Sequence, residues 1–261
     1  MLNTNCYSQT KKSHDNYIDT SIMKQILGDY KGALIDCEKA IKINPKNERA
    51  YIQRANVKDE QGNHEGALAD FNKAIALNPM SSLAWFCIAY SKFKLNDSQG
   101  AIVDFNKAIE INPSNGNAYC NRGQAKANLE DYRGSIVDFN KAIEINTSNG
   151  DAYCNRGIAK FKLEDYRGAI PDFNKAIGID GNIAEAYCYR GYSKCMLHDY
   201  RGSIPYYNKA IEINPNYADA YCGRGLVGIT LGEKETGCRD LSKAGELGSA
   251  EAYEIIKKSC K

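Results

Sequence analysis

The sequence predicts an all-α solenoid, a linear stack of helix pairs, and three observations predict it. A landmark aromatic recurs as Tyr51, Trp85, Tyr119, Tyr153, Tyr187 and Tyr221, each 34 residues after the last. The block 116–149 laid over 150–183 matches at 23 of 34 positions. Each block carries two stretches of helical apolar spacing separated by a short polar break. A unit of this kind cannot bury its own apolar face, so neighbouring units must stack and each touches only the next.

Within one unit, Ala118, Arg122, Ala125 and Leu129 fall at i, i+4, i+7 and i+11, one face of a first helix. Glu130-Asp131 interrupts, and Asp131 is a fair cap for a second helix over 132–145. Ile136, Phe139, Ala142 and Ile143 form its buried stripe. Pro45, Pro79, Pro113 and Pro215 close their units, because proline cannot continue a helix; Thr147 and Gly181 stand there instead in two units. Pro171 and Pro205 lie early in second helices, where at most a local bend is expected. The frame divides the chain into 14–47, 48–81, 82–115, 116–149, 150–183, 184–217 and 218–251. Residues 1–13 are polar and aperiodic and are expected to be a disordered tail. Residues 249–261 are expected to form a capping helix that overlaps the last unit, with Tyr253, Ile255 and Ile256 covering the last apolar face.

Small residues mark close helix contacts. Gly123, Gly157, Gly191 and Gly225, with Ala55 and Ala89, share one column of the first helix. Ala33, Ala67, Ala101, Ser135, Ala169, Ser203 and Gly237 share one on the second, and a further column from Ala40 to Ala244 is alanine in every unit. A helical glycine costs about 1 kcal/mol against alanine, so its recurrence implies a neighbour too close for a larger side chain.

A 34-residue helix–turn–helix with an aromatic, Gly or Ala four residues on, a small residue, a second aromatic, an alanine and a closing proline resembles the tetratricopeptide repeat. The resemblance covers 14–251. It implies a right-handed solenoid whose seven units make close to one superhelical turn, with the first helices lining a concave groove that holds protein segments. The chain departs from the pattern where Arg54, Arg122, Arg156, Arg190 and Arg224 stand before the small residue in place of an apolar side chain. Tetratricopeptide co-chaperones clamp the acidic tails of Hsp70 and Hsp90 with Lys, Asn and Arg. Here the corresponding faces carry Cys120, Gln124, Asn155, Glu185 and Tyr189, of which only Asn155 fits, so that partner is not expected.

Charge and cysteine content narrow the function. Lys+Arg 34 against Asp+Glu 32 gives a net charge of +2, without the basic stripe that nucleic acid or an anionic membrane would require. The opening residues hold no apolar run, so neither a signal peptide nor a membrane span is expected, and the protein reads as cytoplasmic. None of the 10 cysteines forms a CxxC pair, and no metal site is expected. Cys120, Cys154, Cys188 and Cys222 repeat at 34; on successive stacked helices they would lie roughly 8–10 Å apart, beyond the span of about 7 Å that a disulfide allows. The cysteines are therefore expected to be reduced.

Catalytic signals fail one by one. Gly223, Gly225 and Gly228 match GxGxxG, but inside a first helix rather than after a strand. His14 falls near the tail, His64 and His198 in inter-helix turns, with no nucleophile spaced to them. Neither catalysis nor a cofactor is expected. The arginine column faces an aspartate column, Asp36, Asp70, Asp104, Asp138, Asp172 and Asp240, and each arginine is expected to pair with an aspartate of its own or the preceding unit.

The expected binding face of the first helices carries Gln53, Asn56, Phe86, Tyr90, Phe93, Asn121, Gln124, Asn155, Ile158, Phe161, Tyr189 and Tyr192, with Leu226 beyond them. Gln53, Asn121 and Asn155 make an amide ladder, able to donate to and accept from a peptide backbone. The aromatics either anchor a partner or pack on one another between helices. The sequence thus reads as a non-catalytic scaffold or adaptor holding an extended or helical peptide of unknown identity. The alternatives are self-association through the degenerate first unit, whose Ile18, Ile22 and Ile26 could expose apolar surface, and a helical-repeat RNA binder.

Overall fold

The computed structural model describes the backbone of residues 2–260 and the side chains of residues 14–260. Among these residues every element is a helix: α1 (Leu2–Ile26), α2 (Tyr30–Ile43), α3 (Glu48–Glu60), α4 (His64–Leu77), α5 (Ser82–Lys94), α6 (Ser98–Ile111), α7 (Gly116–Asn128), α8 (Tyr132–Ile145), α9 (Gly150–Lys162), α10 (Tyr166–Ile179), α11 (Ala184–Met196), α12 (Tyr200–Ile213), α13 (Ala218–Thr230), α14 (Lys234–Glu246) and α15 (Ala250–Ser259). Second helices begin at 30, 64, 98, 132, 166, 200 and 234, the sequence period itself. The chain falls into two compact units, Met1–Leu129 and Glu130–Lys261. In the first, α1–α2, α3–α4 and α5–α6 are helix hairpins, and α2, α4 and α6 each pack on the following first helix. In the second, α9–α10, α11–α12 and α13–α14 repeat the arrangement, α8 packs on α9, and α15 covers α14. In each unit, consecutive helix pairs pack as in a tetratricopeptide solenoid.

Local chemistry explains the starts. Asp29, Asp97, Asp131, Asp165 and Asp199 accept the backbone N–H three residues on, at 2.9–3.0 Å, as Asn63 does in α4. The residue receiving that cap is glycine each time: a Cβ at Gly134 would lie 2.0 Å from the Asp131 carboxylate. The turn before the cap needs a left-handed residue. Gly28 and Gly62 supply it with φ of 78° and 77°, but Asn96, Glu130, Glu164 and His198 adopt φ of 61–65° with side chains, a strain of about 1 kcal/mol each. α10 and α12 run unbroken through Pro171 and Pro205.

The small-residue columns are the core. All seven alanines from Ala40 to Ala244 are fully buried, and Phe71, Phe105, Phe173 and Tyr207 fill the space between the helices of their own pairs. A Cβ at Gly157 would stand 2.7 Å from the Phe173 ring, and one at Gly225 would stand 2.8 Å from the Gly237 carbonyl. The landmark aromatics tie each unit to the turn before it: Tyr51 donates to the Pro45 carbonyl at 3.1 Å, and Trp85 to that of Pro79 at 2.9 Å.

Several expectations change here. α1 runs back to Leu2, through a segment expected to be disordered; residues 2–13 contain neither glycine nor proline to stop a helix that is anchored further on. The side chains of residues 1–13 lie outside the described residues. His14 is no tail residue: it is buried in α1, its Nδ1 3.1 Å from the Asn47 amide. Ile18 is buried, whereas Ile26, Met23 and Leu27 are exposed. Leu129 leaves the packing face and is exposed as the residue that ends α7.

The cysteine expectation divides. Cys120, Cys154, Cys188 and Cys222 are buried thiols outside any disulfide, and burial pushes the Cys222 thiol up to about 11. Cys238 and Cys260, however, form a disulfide with Cα atoms 5.8 Å apart. Their 22-residue separation resembles no motif; the turn between α14 and α15 folds the last helix back until the two meet. Disulfides persist in oxidising surroundings, so the inference of a reducing compartment does not extend to this pair. We predict that a Cys238→Ser, Cys260→Ser variant frees α15: its amides should lose hydrogen-exchange protection while α9–α12 keep theirs. The loss should be about 3.4 kcal/mol, from loop closure alone for a 22-residue separation. Unchanged protection in α15 would show that its apolar contacts suffice.

Candidate functional site

The arginine and aspartate columns meet as expected at Arg54, Arg156 and Arg224, but not at Arg190, where Tyr206 stands at the aspartate position of its repeat and no carboxylate is paired. Arg54 holds Asp70 with two N–H bonds of 2.8 and 2.6 Å, Arg156 holds Asp172 at 3.0 and 2.5 Å, and Arg224 holds Asp240 at 2.7 and 2.8 Å. Each carboxylate belongs to the arginine's own repeat. One turn on, Lys58 and Lys160 add a 2.7 Å ion pair to the same aspartates. The remaining guanidinium edge reaches backward: Arg122, Arg156 and Arg224 each donate at 2.7 Å to Asn106, Asn140 and Asn208 of the preceding repeat. The pairing with Asp70 and Asp240 holds the Arg54 and Arg224 guanidiniums above their ordinary range. Where no arginine exists, lysine substitutes. Burial pushes the Asp36 carboxyl up, but bonds from Lys24, Thr20 and Lys39 outweigh it and leave the group below its usual value. These columns are structural fasteners.

The expected binding residues separate by what their polar atoms do. Gln53 is buried, its amide donating to Gln25 at 2.7 Å, so it serves the α1–α3 contact. Asn56, Asn121 and Gln124 in the first unit and Asn155 in the second are half-buried, and their side-chain amides make no hydrogen bond among the described residues. In the first unit Asn56, Phe86 and Tyr90 line one open cavity of about 200 Å³ with Gln25, Asp59, Glu60, Cys87 and Ser91. Phe86 stacks on Tyr90 at 6.3 Å and tilts onto Phe105 at 5.8 Å, leaving Tyr90 37% exposed as the outer ring. Phe93, half-buried, packs against the α5–α6 core instead. Sequence reasoning missed Asp59, Glu60 and Ser91 in this cavity. They stand at the end of α3 and in the last turn of α5, where only the packing shows that they converge. His64, Asp59 and Ser91 are linked at 2.7 and 2.9 Å, but the carboxylate lies between the other two, so the imidazole cannot take the serine proton.

In the second unit the rings pack on one another. Phe161 meets Tyr166, Tyr189 and Tyr192 at 5.2–6.3 Å, and Tyr192 meets Tyr207 at 5.5 Å while donating to the Asp219 carbonyl at 2.7 Å. Burial pushes the Tyr189 hydroxyl up to about 12 and Tyr192 higher still. Ile158 packs against the core below them, and Leu226 is exposed on α13. Here the packing reading of the aromatics holds. Glu185, whose carboxyl is pushed up by burial and then by the nearby Asp219 and Asp151, lies along the same face.

Tyr207 occupies a column that is cysteine in the first repeat, leucine in the last and phenylalanine between; it is fully buried and its hydroxyl has no partner. We predict that Tyr207→Phe raises stability by about 1 kcal/mol, since the orphaned hydroxyl is lost and the ring kept. A fall in melting temperature would mean that the hydroxyl is satisfied in solution.

Comparison with known proteins follows the same lines. Tetratricopeptide repeat models match residues 150–183, 184–217, 37–69, 23–47 and 116–149, and a TPR repeat model matches 89–130. A search of curated proteins returns no match. Among solved structures, a tetratricopeptide repeat protein from Parabacteroides merdae is 22% identical over 96% of this chain and 100% of that one, with a TM-score of 0.71. YrrB, described as a TPR protein with an unusual peptide-binding site, is 24% identical over 72% of this chain and 97% of its own, with a TM-score of 0.58. PilF of Pseudomonas aeruginosa is 15% identical over 81% and 96%, with a TM-score of 0.74. At these identities the likeness is one of fold. No described helix is long and apolar enough to cross a membrane. The 34-residue helix period, the family matches along the chain and the structural neighbours agree: this chain belongs to the tetratricopeptide repeat family.

Proposed function

We propose that this protein is a non-catalytic adaptor that binds an extended protein segment on the exposed faces of its first helices. The tetratricopeptide fold supports a protein-interaction scaffold in general, and YrrB, a protein of similar fold, has a peptide-binding site. The observation that carries the reading here is the set of half-buried amides without internal partners, Asn56, Asn121, Gln124 and Asn155. These amides face solvent without an internal partner, so a peptide backbone can engage both the donor and the acceptor of each. Beside Asn56, the open cavity with its outer ring Tyr90 offers an anchor for an apolar side chain, and Asp59 and Glu60 add acceptors at its edge. Phe161, Tyr189 and Tyr192 shape their face from below, because their rings are spent on one another.

The test is a peptide selected from a random display library on the wild-type protein. Its affinity is then measured against an Asn56→Ala, Tyr90→Ala, Asn121→Ala, Asn155→Ala variant that retains helical circular dichroism and melting temperature. We expect at least tenfold weaker binding, from about 1.4 kcal/mol or more of lost contact. Equal affinity would move the working surface to the second helices or the chain ends.

A further inference from the structure

One arginine of the column lacks the arrangement that holds the others. In α9–α10 and α13–α14, arginine, aspartate and the preceding asparagine form a closed set: Arg156 with Asp172 and Asn140, Arg224 with Asp240 and Asn208. In α11–α12 the aspartate position is Tyr206. Arg190 makes no hydrogen bond or ion pair among the described residues: it does not reach Asn174, the counterpart of Asn140 and Asn208, and its buried Nε is left without a partner. Its guanidinium carbon sits over the Tyr206 ring, 4.2 Å from the centroid. Lys194, one turn on, places its ammonium 5.9 Å from the same ring. Its counterpart Lys160 is bound to the buried Asp172, whereas Lys194 turns to the exposed Asp199 at 2.6 Å.

Two cations therefore converge at the position where Asp172 receives the corresponding pair, and no buried carboxylate is present there. A ring face attracts a guanidinium by about 0.5–2 kcal/mol, but it accepts no N–H bond in the guanidinium plane. The Nε donor stays open, and an Arg fork is matched in shape to a carboxylate or phosphate. Both side chains are half-buried rather than sealed, so an incoming group can reach them. We propose that Arg190 and Lys194 form a binding point for an oxyanion, a carboxylate or phosphate group that takes the place of the missing aspartate. This surface lies between the helices of one pair, on the fastener side of α11, and does not depend on the amide-bearing face proposed above.

The test is thermal unfolding of the full chain in sodium phosphate, and separately with a blocked aspartate-rich peptide, each against sodium chloride at matched ionic strength. The wild type should be stabilised by at least one of the two, and Tyr206→Phe should respond as the wild type does. Tyr206→Asp should melt higher in chloride, because the carboxylate is restored from within, and should lose the response. Arg190→Gln should lose the response while keeping its helical circular dichroism. Stabilisation by phosphate alone identifies a free oxyanion as the ligand, and stabilisation by the peptide identifies an acidic side chain of a protein. No response in the wild type, or one that persists in Arg190→Gln, overturns the proposal.

Discussion

Replacing Phe173 by alanine is expected to cost about 4 kcal/mol, the middle of the range for emptying a fully buried phenylalanine site. The ring is wholly out of water and fills the gap beside Gly157, the residue whose absent side chain makes room for it. The site cannot collapse, because α9 and α10 already touch through Gly157, Ala169 and Ala176, which have nothing left to move inward. The melting temperature should fall by roughly 8–16 °C, since 1 kcal/mol is worth about 2–4 °C at this size. In an array whose stability is set by neighbouring repeats, hydrogen exchange should rise first in α9 and α10. A fall of under about 3 °C would mean that the helices close over the cavity, against the packing described.

Asp172→Ala is the second large change, at about 3 kcal/mol. The carboxylate is almost fully buried and receives Arg156 twice and Lys160 once. Its removal leaves a half-buried guanidinium with only Asn140 and an ammonium with no counter-charge. The cost is that of the stranded cations, so an Arg156→Ala, Asp172→Ala double variant should lose clearly less than the sum of the single changes. Salt should alter the effect little, because the pair is shielded from solvent ions. The exposed Lys209–Glu212 pair provides the contrast: at 2.5 Å it is as short, but Lys209→Ala should leave stability essentially unchanged, since water already solvates both groups. Equal effects at the two sites in denaturant titrations would refute the distinction.

Much of the molecule was legible in advance because its constraints are local and repeated. The second helix at 132–145, the Asp131 cap and the last helix at 250–259 each rest on a turn, a cap or a period lying within a few residues. The arginine–aspartate columns were readable because a buried guanidinium compels a partner, and the repeat supplies one at a fixed offset. The candidate site was legible only as a face. Gln53, Asn121 and Asn155 look identical along the chain, yet Gln53 is used up by Gln25 of α1 while the other two stay unbonded. Phe86 and Tyr90 line a cavity, whereas Phe161, Tyr189 and Tyr192 close on themselves, although Tyr90 shares a repeat column with Tyr192.

By itself, then, the sequence determined the helix pairs, their period, their caps and the small residues at which they touch, because each follows from backbone sterics within one repeat. The tertiary structure decided the rest: which amides remain unbonded, which rings are spent, that Cys238 reaches Cys260, and that Arg190 lies on Tyr206 without a carboxylate. Those outcomes depend on side chains meeting across helices, where the distance between partners is set by packing and not by their separation in the chain.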